Sequence, residues 1–434
     1  MAAYFASGPR TKYSIPSNWD SGAFARIALG LLVLSSTAAS AAAPLDLEEA
    51  VSIAIGANDP TVARFDEKAA AFEDWAISDS QLPDPQLRVG LANMPTDTFN
   101  FDQEPMTQAQ VGLRQQFPRG RTLSETRGRR AAEATGQRAA GRLQELQIAL
   151  QTRSVWLDLF YWYGARATVA KSRQAVEELT EVVQSSFSTG LGSNQDLLRA
   201  ELELGLLDDR GIEVERQIDT LTAEFARLVG AASAERRLPS TFPALPTPPA
   251  AQIIEDGLLA HPAVEIEDAR VDVADRSVSI ARQQYLPGWS LDVGYGARSG
   301  GRADFASAMV VFDMPLFTGN RQDRRLSAAQ SNRSAARLDR SGRLLDLKRQ
   351  LARTQADWTR LRERETQFAN VVLQRATANA DAALEGYQAQ VVDFAELIRS
   401  RLTELDTRLQ IRRLKVDRAK AQAQLLFLAG EKQR

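Results

Sequence analysis

FSTGLGSNQDLLRAELEL, residues 187–204, decides how this chain is read. It interrupts a long helix-forming stretch with glycine, serine and asparagine, and no proline is nearby. About 200 residues later YQAQVVDFAELIRSRLTEL, residues 387–405, repeats the plan. Both start with an aromatic, cross a short break, and resume with Leu-Leu or Leu-Ile. A break that recurs at such an interval is the mark of an internal duplication.

Working outward, prolines divide the chain. None lies between Pro118 and Pro239, and none follows Pro315. Because proline breaks helix interiors, each proline-free arm is free to be long helix. From Gly120 to Phe187 is about 68 residues, or roughly 100 Å of helix at about 1.5 Å per residue. Asn320 to Tyr387 is the same length. The chain is expected to reverse at 188–194 and again at 388–393, where small and polar residues supply turn and cap chemistry. In the arms Leu143, Leu146, Leu150, Leu157 and Phe160 match Leu344, Leu347, Leu351, Trp358 and Leu361. Their heptad-like spacing predicts a narrow apolar seam. Elsewhere Pro60 pairs with Pro262, Pro83 with Pro287, Pro118 with Pro315, and Gly120 with Gly319. The expected organisation is a first repeat over 42–234, a proline-rich extended linker over 235–251 and a second repeat over 252–434.

Each repeat has a segment of another kind. Leu87, Val89 and Leu91 alternate with Arg88, Gly90 and Ala92. Ala109, Val111 and Leu113 alternate with glutamines, Gly112 and Arg114. Trp289, Leu291, Val293 and Tyr295 alternate with Ser290, Asp292 and Gly294, and FASAMVVFDM follows. Period-two alternation with turn residues between predicts strand pairs over about 86–117 and 289–314. It is also the pattern of a membrane barrel strand, with one face in lipid and one in water. Four strands close no barrel, since the smallest membrane barrels have about 8, and open edges are not viable in lipid. The chain is therefore expected to oligomerise. Two copies make a small filled barrel, and three make about 12 strands around an open lumen.

The N-terminus reads as an export signal over 1–41. Arg10, Lys12 and Arg26 precede the apolar run 27–34, and SSTAASAAAP supplies an A-x-A cleavage site after Ala41. That run is well short of the roughly 20 residues of a membrane-spanning helix. The chain has no cysteine, which removes disulfides, thiolate metal sites, catalytic thiols and N-terminal lipidation. The net charge of −2 argues against nucleic acid as a partner. The single histidine, His261, is too few for a zinc site of three or four ligands and reads as a cap beside Pro262. No metal or other cofactor is expected. With no phosphate loop or nucleophile elbow either, the chain is not expected to be an enzyme.

Taken together, the duplicated plan, TGLGSNQDLLRAELEL, and LPGWSLDVGYG followed by PLFTGNRQDRR resemble the TolC family of outer-membrane efflux ducts over essentially the whole mature chain. LANMPTDTFNFDQEPMTQAQVGLRQQFPRGR is most similar to the subgroup paired with heavy-metal resistance-nodulation-division (RND) pumps. The resemblance implies a mostly α chain with a small β part. Long antiparallel helical hairpins would form a periplasmic tunnel, and four strands per chain would join a trimeric 12-stranded barrel in outer-membrane lipid. It implies a homotrimer docked at its tips by a periplasmic adaptor that leads to the inner-membrane pump. Gly190, Leu191 and Gly192 match the adaptor-contacting tip, whereas Gln390 and Val391 depart from that pattern at the second tip. Tyr387 and Glu396 match a tyrosine and an acid that constrict the tunnel, although Arg399 stands where some members carry a second acid. Three copies of Glu396 around a narrow mouth would favour cations; the alternative is a solvated carboxylate paired with Arg399 or Arg401. Export of drugs, or of polypeptides with an ATP-driven exporter, would use the same fold. A soluble periplasmic coiled-coil scaffold is the alternative from another class.

Overall fold

The computed structural model describes residues 43–57, 59–190 and 193–430. The leader expected over 1–41 lies outside the described residues, as do Leu191 and Gly192. Two helices, α1 (Leu47–Gly56) and α2 (Pro60–Ser78), precede strands β1 (Gln86–Ala92) and β2 (Gln108–Phe117). The first arm follows as α3 (Thr122–Ser188) and α4 (Asn194–Val229), then a short α5 (Ala231–Ala234). After the linker come α6 (Ala251–Gly257), α7 (Pro262–Gln283) and strands β3 (Gly288–Ala297) and β4 (Phe305–Asp313). The second arm is α8 (Gln322–Gln367), α9 (Leu373–Gln388) and α10 (Phe394–Leu428).

Helix α3 is 67 residues long, close to 100 Å at about 1.5 Å per residue. The second arm is long helix as well, interrupted once before its reversal. A π-helical turn, Phe368–Val372, joins α8 to α9. A wider turn of this kind takes up an extra residue and re-phases the side chains that follow. Beyond it the buried face of α9 is all alanine, Ala376, Ala380 and Ala383, which lets α10 approach closely. Of the matched seam, Leu146, Leu347 and Leu351 are buried in one cluster with Val264 and Leu425, and Leu143, Leu150, Leu344 and Trp358 pack against it. The linker wraps the helical body. Phe242 and Leu245 pack on the cluster around Trp156, and Gln422 donates to the carbonyls of Leu245 and Pro246.

The four strands form one antiparallel sheet in the order β1-β2-β3-β4. The central pairing, β2 with β3, joins the two halves of the chain, with Leu113 opposite Val293 and Arg114 opposite Asp292. Directly opposed residues share a face. One face therefore carries Leu87, Val89, Val111, Leu113, Val293 and Phe312, and the other carries Arg88, Gln110, Arg114, Ser290, Asp292 and Ser307. The apolar face is uncovered, with Leu87 70% and Val89 77% exposed. No helix among the described residues is long and apolar enough to cross a membrane.

Paired prolines start paired helices. Asp59 caps α2 by accepting from the Thr61 amide at 2.7 Å, with Pro60 in the first turn. His261 does the same for α7, its Nδ1 accepting from the Ala263 amide at 3.2 Å. Its Nε2 donates to the Phe427 carbonyl at 3.1 Å, which ties α7 to the end of α10. Burial, opposed by the Phe427 bond, lowers the His261 pKa below 6.5, with Arg343 lowering it further. Protonation would place a second N–H against the Ala263 amide. The folded pKa is depressed, so this contribution to stability is complete above the unfolded value of about 6.5. It is lost as pH falls through the lower folded value. Urea unfolding of wild type and of His261→Asn, which keeps a capping side chain, should therefore diverge in pH dependence below about pH 6.5. Parallel profiles would show that the ring does not titrate in this way.

Candidate docking tips and tunnel lining

Both helical reversals are built from the same local devices, 200 residues apart. At the end of α3 the Gly190 amide donates to the Phe187 carbonyl at 3.0 Å, and Gly190 has φ +77°. At the end of α9 the Gln390 amide donates to the Tyr387 carbonyl at 3.0 Å, and Gln390 takes φ +60°. Glycine enters the left-handed region freely, while another residue pays about 1–2 kcal/mol. Two further bonds, from the Val391 and Val392 amides to the Gly386 carbonyl at 2.9 and 3.1 Å, close the second turn. A Cβ at Gly386 would come within 2.5 Å of the Val392 side chain, so the turn requires glycine there.

Each returning helix restarts on a side-chain N-cap. Ser193 accepts from the Asp196 amide at 3.1 Å, and its hydroxyl donates to the Asp196 carboxylate at 2.9 Å. Asp393 accepts from the Glu396 amide at 2.7 Å. Asp196 was not singled out in the sequence, yet S-x-x-D at 193–196 and D-x-x-E at 393–396 are legible as a repeated N-terminal signature.

The structure places Gly190 in the open at the first tip, where an added Cβ would meet no described atom within 4 Å. Tyr387 is half-buried beside Phe394, ring centroids 5.8 Å apart. It packs on a cluster that unites both arms, including Val183, Ala200, Phe394 and Leu397. Burial first, and then the Asp196 carboxylate, raise the pKa of its phenol. Glu396 forms an ion pair with Arg399 within the single chain. Toward the body, Glu404 is buried and receives Arg401 at 3.1 Å and Arg408 at 2.6 Å. Burial pushes this carboxyl up, but Arg408 and Arg401 outweigh it and hold it below its ordinary value. Glu404, Arg401 and Arg408 line a groove of about 1150 Å³ between α3, α9 and α10, together with Lys171, Arg412 and Lys415. Among the described residues no group of histidines and carboxylates is arranged to hold a metal ion.

On the polar face of the sheet, Asp292 accepts from Arg88 Nη1 at 2.8 Å and from Arg114 Nε at 2.8 Å. Arg88 spans β2 to reach it. In the register Arg88 stands opposite Gly112, and Gly112 opposite Gly294, so no side chain blocks the path. Sequence reading placed all three charged residues on a wet face but not together, because they come from three strands and both halves.

No protein-family model matches the chain, and no curated protein matches it by sequence. Solved structures do match. The outer membrane protein VceC of Vibrio cholerae is 16% identical with a TM-score of 0.74, over 88% of this chain and 96% of that one. The outer membrane channel CmeC of Campylobacter jejuni is 13% identical with a TM-score of 0.75, over 88% and 85%. The open state of the outer membrane channel MtrE of Neisseria gonorrhoeae is 13% identical with a TM-score of 0.70, over 89% of each chain. At these identities the likeness is one of fold, and it extends through sheet and arms alike: the chain has the fold of the TolC-like outer-membrane channels.

Proposed function

We propose that this protein is the outer-membrane channel of a tripartite efflux system. The observation that carries the reading is the sheet: one uncovered apolar face, one charged face, and outer strands β1 and β4 each paired on one side only. Such a sheet is unstable alone in lipid or in water. Three copies supply 3 × 4 = 12 strands and can close a barrel whose apolar face meets outer-membrane lipid and whose polar face lines a lumen. The α3–α4 and α8–α10 arms would extend from it through the periplasm as a tunnel.

On this reading the tips, with Gly190, Leu191 and Gly192 at the first, receive a periplasmic adaptor. The adaptor in turn engages an inner-membrane RND pump, which supplies the energy. Tyr387 and Glu396 border the tunnel mouth and constrict it. The conduit is passive and performs no catalysis. The cargo we propose is heavy-metal cations, on the strength of the sequence resemblance of the 91–121 segment. The test is metal and drug sensitivity of a deletion strain across zinc, cobalt, cadmium, copper and a panel of hydrophobic drugs. Sensitivity confined to metals supports the proposed cargo. Sensitivity to drugs alone, or to neither group, overturns it and favours drug or polypeptide export through the same fold.

A further inference from the structure

The Arg88–Asp292–Arg114 cluster carries two positive charges and one negative. The two arginines converge on a single carboxylate that is only 8% exposed, while the Arg88 side chain remains 58% exposed. Asp292 is thus satisfied and screened, and the surplus positive charge sits on the residue that faces open space. Among the described residues nothing nearby on the same face offsets it. The neighbouring positions are Gly112, Gly294, Ser307, Gln110 and Met309. The remaining acid of this face, Asp313, lies at the end of β4 that leads back to the helical body, opposite Gly288.

We propose that Arg88 is an ion-selectivity residue of the barrel lumen and that it favours small inorganic anions. The inference rests on the channel reading above, which turns the polar face of the sheet inward. Symmetry would then repeat Arg88 three times around the lumen, at a level where Gly112 and Gly294 add no side chain and Ser307 adds a small neutral one. Three like charges around a pore with low-dielectric walls focus a potential that concentrates counter-ions. Rings of arginine and lysine select anions in this way. The barrel end of the tunnel would then carry a positive field. A metal cation would leave it in the company of anions that the arginines admit.

The experiment is the reversal potential of the purified full-length protein in planar bilayers under a potassium chloride gradient. Wild type is compared with Arg88→Gln, Arg88→Lys and Arg88→Glu. Each variant leaves the Arg114–Asp292 pair in place, so the sheet retains its central ion pair. The expected result is a chloride-to-potassium permeability ratio that falls roughly threefold in Arg88→Gln and further in Arg88→Glu, with Arg88→Lys close to wild type. Pores whose ratio is the same in all four proteins overturn this inference while the channel reading stands. A wild-type protein that forms no pores overturns the channel reading and this inference with it.

Discussion

Trp156→Ala is expected to destabilise the folded chain by about 3–5 kcal/mol, the range for removing a fully buried aromatic. Trp156 is 0% exposed and sits where four parts of the chain meet. Its indole N–H donates to the Leu45 carbonyl at 3.1 Å, which ties the segment before α1 to the middle of α3. Its ring stacks on Phe160 at 5.6 Å, and Phe160 meets the linker residue Phe242 edge-on at 5.5 Å. Phe225 of α4 belongs to the same cluster. The start of the linker reinforces the joint, because the Leu45 amide donates to the Arg237 carbonyl at 2.9 Å and Arg236 pairs with Glu49 at 2.7 Å. Truncation therefore leaves a cavity and an unsatisfied carbonyl together. Trp156→Phe keeps most of the apolar volume and is expected to cost about 1–3 kcal/mol, mostly from the stranded Leu45 carbonyl. Thermal unfolding of detergent-solubilised protein separates the two. Equal melting temperatures for the Ala and Phe variants would mean that packing at this joint matters little.

The second large effect is expected in function rather than stability. Leu191→Asp should abolish efflux while leaving the amount of assembled protein in the outer membrane unchanged. Its neighbour Gly190 is exposed, with open space where a Cβ would stand, and Ser193 already caps α4 through Asp196. The bonds that end α3 and start α4, Gly190 to Phe187 and Ser193 to Asp196, involve other residues. On the docking reading, the new charge enters an apolar contact with the adaptor and is desolvated without a partner, which costs several kcal/mol. The check is metal tolerance of a deletion strain carrying the variant, read beside its abundance in outer-membrane fractions. Full tolerance at normal abundance would remove the tip from the docking surface.

Several of the sequence expectations concern features that neighbouring residues decide among themselves. Helical hydrogen bonds run from residue i to i−4, so proline placement bounds the arms and cap chemistry sets where they restart. Strand alternation is equally local, and β1 to β4 fall on the two segments where it was read, with β3 starting one residue earlier at Gly288. Glu396 shows the limit of such reading. Spacing alone allowed a ring of carboxylates or a pair with Arg399 or Arg401; the folded chain holds the Arg399 pair, and a ring depends on symmetry-related copies. The π turn at Phe368–Val372 left no proline or glycine signal.

The helical arms, their reversals and the alternating strands were legible in the sequence, because each follows from periodicity or from local turn and cap chemistry. Not legible there were the pairing of β2 with β3 across the two halves, the His261–Phe427 bond, and the convergence of Arg88 and Arg114 on Asp292. Those contacts join residues 166 to 204 positions apart. At that separation no local rule selects one partner over another, and the path of the folded chain does.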